Sequence, residues 1–142
     1  MLQLMNATDV RKKWSSVVDA TVRVKPQFFK RTRDYVFLSD FHFMEDLLAG
    51  YSYSATQMTE EDGSITLALN EIDLVENGKD EKDARKKLAS AILEYAEDYY
   101  SDFSYWGSAP NRKSHIPYVF KALFIGDIQK IGESIRCQAG KN

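Results

Sequence analysis

Eight basic residues crowd the first 33 positions: Arg11, Lys12, Lys13, Arg23, Lys25, Lys30, Arg31 and Arg33, against only Asp9 and Asp19. Gathered ammonium and guanidinium groups bind phosphate oxygens, and arginine can also read guanine edges, so this segment is a candidate face for an anionic partner. A second constellation, Tyr95, Tyr99, Tyr100, Phe103, Tyr105 and Trp106, could stack on bases or fill a protein interface, although its helical spacing also suits a core. Catalysis has no comparable signal. His42 and His115 are far apart and outside metal-ligand spacing, and Cys137 is a lone thiol expected to be inert. There is no Gly-rich phosphate loop, no H-E-x-x-H and no nucleophile elbow. Glu60-Glu61-Asp62 and Glu97-Asp98 read as solvated acidic runs. No catalytic residue, metal ligand or cofactor is therefore expected, which excludes an enzyme, an RNA-processing one included, as the working assumption.

These groups need elements to hold them. The 142 residues, 44% hydrophobic and 13% aromatic, can bury a core as one domain or two small ones. Leu2 to Met5 suit an edge strand. Asn6 or Thr8 can cap a helix whose apolar line is Val10, Trp14, Val17, Val18, Thr21 and Val22, with Pro26 ending it. Residues 27–31 and 35–39 are aromatic and β-branched around Thr32-Arg33-Asp34, a hairpin without the usual glycine. Ser39 or Asp40 caps a further helix with Phe41, Met44, Leu47 and Leu48 on one side.

Residues 50–64 lose periodicity and gather Ser, Thr, Gly and acid, so positions 51–64 read as a linker. Beyond it come an alternating strand from Ile65 to Ile72 and an Asn77-Gly78 turn. Asp80 then caps a long helix carrying Ala84, Leu88, Ala91, Ile92, Tyr95, Tyr99 and Phe103 on one face. Acidic Glu94, Glu97, Asp98 and Asp102 lie toward that helix's C-terminal half, where the dipole disfavours them. Residues 104–114 read as a loop, 115–125 as a buried helix with Pro117 in its first turn, 127–135 as a short amphipathic helix and 136–142 as a polar tail.

Three stretches carry a resemblance: Ala7-Thr8-Asp9-Val10-Arg11-Lys12-Lys13-Trp14-Ser15, then Phe29-Lys30-Arg31-Thr32-Arg33, then Val36-Phe37-Leu38-Ser39 with the helix from Phe41. In order and spacing they resemble the N-terminal domain of the Phd/YefM antitoxins of type II toxin-antitoxin systems. The resemblance departs from the usual pattern at the glycine-free hairpin and at Trp14, where Leu is common. In outline, the strand from Ile65, the Asn77-Gly78 turn and the helix opening Asp80-Glu81-Lys82-Asp83-Ala84-Arg85 resemble the HicB antitoxins, a second pointer to the same class of system.

The resemblance implies an α+β protein with a Phd/YefM-like DNA-binding and dimerisation domain at 1–50, a linker at 51–64 and a toxin- or partner-binding α+β domain at 65–142. It implies an antitoxin that neutralises a cognate toxin and represses its own operon. Operator contacts would fall to Arg11 and Arg31, with Lys12, Lys13, Lys30 and Arg33 in support. Tyr95, Tyr99, Tyr100 and Trp106 are the expected partner-binding residues of the second unit. The implied partners are the toxin, operator DNA and a second copy of the chain. The sequence offers no membrane span, and with its single cysteine it is expected to be soluble and cytoplasmic. The competing expectation is a non-catalytic protein-interaction module with no nucleic-acid role.

Overall fold

The structure, a computed structural model, describes residues 2–140. The chain divides into two compact units, Met1–Leu47 and Leu48–Asn142, each a small α+β assembly.

In the first unit β1 (Met5–Asn6) leads into α1 (Ala7–Lys12) and α2 (Trp14–Arg23), followed by the hairpin β2 (Gln27–Arg31) and β3 (Asp34–Leu38) and by α3 (Phe41–Leu48). Asn6 closes the start of α1 by accepting the Thr8 amide at 2.7 Å, and Asp40 accepts the Phe43 amide at 3.0 Å to open α3. The single helix expected between its Asn6 or Thr8 cap and Pro26 is broken at Lys13, which leaves helical geometry at φ -113°, ψ 33°. The break redirects the apolar line. Val10, Val17 and Thr21 are buried, while Trp14 and Val22 stay 51% and 53% exposed. Thr21 satisfies its hydroxyl on the Val17 carbonyl at 2.7 Å.

The sheet runs β1-β2-β3, with β1 parallel and β3 antiparallel to β2. Arg31 pairs with Asp34, so the hairpin loop is Thr32-Arg33, and Thr32 takes φ +55°. A tight two-residue turn requires that left-handed conformation, which a β-branched residue adopts at a cost of about 1 kcal/mol or more.

In the second unit β4 (Ser54–Thr59), β5 (Ile65–Leu69) and β6 (Val75–Gly78) form an antiparallel meander, and β7 (Arg136–Ala139) joins β4 in parallel, giving the order β6-β5-β4-β7. Between β6 and β7 the chain forms α4 (Glu81–Ser101), α5 (Phe103–Ser108), a 3-10 turn (Lys113–His115), α6 (Ile116–Ile125) and α7 (Ile128–Ser134). Leu67, Leu69, Ala55 and Tyr53 present one sheet face to Ala84, Leu88, Ala89, Ile92, Ala96 and Tyr99 of α4, Val119 and Ala122 of α6, and Ile131 of α7. The opposite sheet face is polar, laced by Asn77 to Thr66 at 2.9 Å and Thr56 to Asn70 at 3.1 Å.

Local chemistry explains the register of α4. The Asp80 carboxylate accepts the Asp83 amide at 2.8 Å while Asp83 accepts the Lys79 amide at 3.0 Å, a reciprocal cap. Gly78 lets β6 run against the first turn of α4, for a Cβ there would lie 2.2 Å from the Ala84 amide nitrogen. Farther along, Arg85 donates to the Gly132 and Ile135 carbonyls at 2.8 and 2.6 Å, closing the C-terminal end of α7.

Several expectations need correction. Residues 51–64 are not a linker: Ser54–Thr59 is an inner strand, and Tyr53 and Ala55 are fully buried beneath the helices. Asn77-Gly78 is not a free turn but the end of β6, paired with Thr66 and Ile65. Of the expected polar tail, Arg136–Ala139 is a strand, and Lys141 and Asn142 lie outside the described residues. The segment expected as a loop at 104–114 also contains most of α5.

Candidate functional site

The basic side chains of the first unit are held on two elements. Arg11 and Lys12 occupy the last turn of α1 and Lys13 the break that follows; Lys30 and Arg31 end β2 and Arg33 sits in the hairpin loop. All six are exposed. Strand β1 brings the two elements together, because Asn6, the cap of α1, lies opposite Lys30 in the parallel pair. The basic groups are not all unengaged. Arg31 reaches Asp34 at 3.2 Å, with the two side chains 76% and 61% exposed, and the Lys30 ammonium sits 5.6 Å from the Tyr35 ring centre. An ion pair so open to water is worth little and yields readily to a phosphate.

The same unit exposes much of its apolar content. Trp14, Val22, Val24, Phe28, Tyr35, Val36, Phe37, Phe41 and Leu47 are all at least 40% exposed, and before Leu48 at the end of α3 only Val10 and Val17 are buried apolar residues among those described. Phe28 and Phe37 pair across the hairpin at 4.8 Å, and Phe37 continues to Phe43 at 5.9 Å. Sequence periodicity placed Trp14, Val22, Phe41 and Leu47 on apolar helix faces; it could not show that a unit this small has too few neighbours to cover them.

The aromatic constellation of the second unit splits in two. Tyr99 is buried, stacks on Trp106 at 6.0 Å and donates its hydroxyl to the Arg112 carbonyl at 2.8 Å. Tyr95 is half-buried; its oxygen accepts Arg112 Nη1 at 3.1 Å and its hydroxyl lies 2.7 Å from His115 Nδ1. The Arg112 guanidinium lies 4.8 Å from the half-buried Trp106 ring centre. Tyr99 is therefore corrected from a partner-binding residue to part of the core, because helical spacing places it on the packed side of α4; Tyr95 on α4 and Trp106 on α5 lie half-buried beside it. Tyr100, on the flank of the same helix, remains 59% exposed. Phe103 at 39% and Tyr105 at 68% are exposed too, and neither was singled out as partner-binding.

His115, Cys137 and Tyr53 have structural partners. Burial, helped by the Arg112 charge, holds His115 below its ordinary pKa, with Asp73 opposing weakly. Burial likewise raises the Cys137 thiol and the Tyr53 phenol. Cys137 Sγ sits 3.1 Å from Arg85 Nη2, which keeps the sulfur in the packing around α7. No group of three His, Cys, Asp or Glu side chains suited to a metal ion occurs among the described residues, and no helix there is long and apolar enough to cross a membrane.

With the geometry in view, comparison with known proteins defines the class. Residues 1–137 match a PHD-like family model described as the antitoxin of RelE/RelB toxin-antitoxin systems. The chain belongs to this antitoxin family. A crystal structure of an antitoxin part of a proposed toxin/antitoxin system from Syntrophomonas wolfei subsp. wolfei superposes with a TM-score of 0.91 at 37% sequence identity, covering 98% of this chain and all of that one. A search of curated proteins returned no match.

Proposed function

We propose that this antitoxin works as a dimer in the cytoplasm, repressing its own operon by binding operator DNA and neutralising its toxin by covering the toxin's active surface. Neither task needs catalysis by this chain. The observation that supports the DNA-binding half is the meeting of the α1 basic run with the basic hairpin end through β1, on a unit whose apolar side chains are left uncovered. A second copy laid on that apolar surface would remove it from water and present two basic faces to two half-sites, in the manner of the Phd/YefM proteins. Within each face Arg11 and Arg31 are assigned base and phosphate contacts, and Lys12, Lys13, Lys30 and Arg33 phosphate contacts.

The test is an operator gel shift at about physiological salt. Arg11→Ala with Arg31→Ala should abolish retardation while sedimentation still reports a dimer. Retardation equal to that of the unsubstituted chain refutes the assignment of those residues. The Arg31–Asp34 pair favours a second reading, a protein-interaction module with no nucleic-acid role, in which the basic face is surface filler. The two readings differ in salt dependence. Each phosphate contact contributes a slope of about -0.9 in log affinity against log salt, and a slope near zero selects the second reading.

A further inference from the structure

The hairpin end of the first unit carries one charge of the wrong sign for DNA. Asp34 is the only acidic residue between Asp19 and Asp40, a stretch that also holds Arg23, Lys25, Lys30, Arg31 and Arg33. Of the basic residues assigned to the operator, Arg31 alone has a carboxylate partner among the described residues, and that partner is Asp34. Arg11, Lys12, Lys13, Lys30 and Arg33 form no ion pair there.

The backbone fixes the pairing. Arg31 and Asp34 lie opposite each other as the last cross-strand pair before the loop, and Thr32 holds the tight turn at φ +55°. Residues directly opposite in an antiparallel pair carry their Cβ atoms about 5 Å apart, so the carboxylate stays beside the guanidinium even when their hydrogen bond opens. The contact has a single prong. Arg31 Nη2 donates to Asp34 Oδ2 at 3.2 Å, while Nε and Nη1 donate to nothing among the described residues.

Two kinds of DNA partner meet this arrangement differently. Guanine presents O6 and N7 side by side in the major groove, which suits two donors on one edge of a guanidinium. A guanine edge is uncharged and can be taken with the Asp34 bond in place. A phosphate is a full anion that must displace the carboxylate or sit beside it, and either is unfavourable. Weak as it is, the pair therefore sorts one contact from the other.

We propose that Asp34 is a positioning residue that commits Arg31 to a guanine edge rather than to a phosphate, so that the hairpin end reads sequence. This rests on the DNA-binding reading above and divides its labour: the unpaired basic residues hold phosphates, and the paired one reads a base. The carboxylate weakens binding to DNA of any sequence, and weakens it least where a guanine stands.

The test compares gel shifts of the duplex upstream of this reading frame with those of a scrambled duplex of the same length and composition. Asp34→Ala should bind the scrambled duplex about fivefold more tightly and lose about tenfold in the ratio of the two affinities. Its salt dependence should steepen by about 0.9 in slope, the mark of one added phosphate contact. A merely disturbed hairpin would weaken binding to both duplexes together, so a gain on scrambled DNA separates the two causes. Asp34→Glu, which keeps the charge, should return the ratio to within about threefold of the unsubstituted chain. Replacing the guanines of the upstream duplex by deazaguanine, which lacks the N7 acceptor, should weaken the unsubstituted chain more than it weakens Arg31→Ala. A ratio for Asp34→Ala within about threefold of the unsubstituted chain, parallel loss on both duplexes, or equal losses with deazaguanine would each overturn the proposal. Absence of any retardation of the upstream duplex by the unsubstituted chain refutes the DNA-binding reading itself, and the role of Asp34 falls with it.

Discussion

His115 shows how one side chain ties stability to pH. Arg112 donates to the Tyr95 oxygen, and the same hydroxyl lies 2.7 Å from His115 Nδ1, within reach of a neutral ring that accepts its hydrogen. A protonated ring would have to donate there, beside the Arg112 charge and out of water. The folded-state pKa is accordingly below the ordinary 6.5, and the unfolded chain takes up the proton first as pH falls. Stability from this group is complete above about pH 7, declines as pH passes below 6.5, and stops declining once pH is under the folded-state pKa. Melting temperature followed by Trp106 fluorescence should drop on acidification through that window. A His115→Gln variant, less stable at pH 8, should show a flatter dependence.

At the scale of elements, the approach of β6 to α4 is the contact with least room. A Cβ added at Gly78 would meet Ala84 N at 2.2 Å and Ala84 Cα at 2.7 Å, both backbone atoms that can yield only if the helix moves off the sheet. Gly78→Ala should therefore cost about 3 kcal/mol, the upper end for overpacking, and lower the melting temperature by roughly 10–20 °C. Gly50→Ala, where an added Cβ meets nothing within 4 Å, should be nearly neutral by the same calorimetric scan. Gly78 also shows why the strands of the second unit were hard to read. Asn77-Gly78 is a turn signal by local preference, yet here the missing side chain serves close packing. Ser54, Thr56, Gln138 and their neighbours look like loop because one sheet face is solvated and polar. Helices α4 and α6 were legible, having caps, a proline in the first turn and long apolar faces. The Asn6 cap and the hairpin were legible too, whereas the break at Lys13 left no mark in residue type. The basic groups of the candidate DNA face could be read from charge alone. Which aromatics remained exposed could not, since that depends on how α5 and Arg112 fold back on α4.

For the molecule as a whole, the two units differ in self-sufficiency. Among the described residues, the second has a continuous core of fifteen buried apolar residues; the first buries Val10 and Val17 and leaves a phenylalanine-rich surface uncovered. The first unit should therefore depend on association for much of its stability. Trp14 lies in the first unit and Trp106 in the second, so a Trp106→Phe variant reports on the first alone. Its melting midpoint should rise with protein concentration, by the equivalent of about 2.7 kcal/mol over a hundredfold range, whereas a midpoint independent of concentration would mean that the unit stands alone.

The parallel strand β7 has a bearing on how the protein is made. Ser54 finds Arg136 only after β5, β6 and all of the helices α4 to α7 have been synthesised, so one side of β4 faces water for most of the time the chain is emerging. An open strand edge recruits other strands, and contacts this distant in sequence form slowly. The nascent chain thus passes through an interval in which its second sheet is three strands wide and unguarded, and capture by a chaperone or a protease is most effective then.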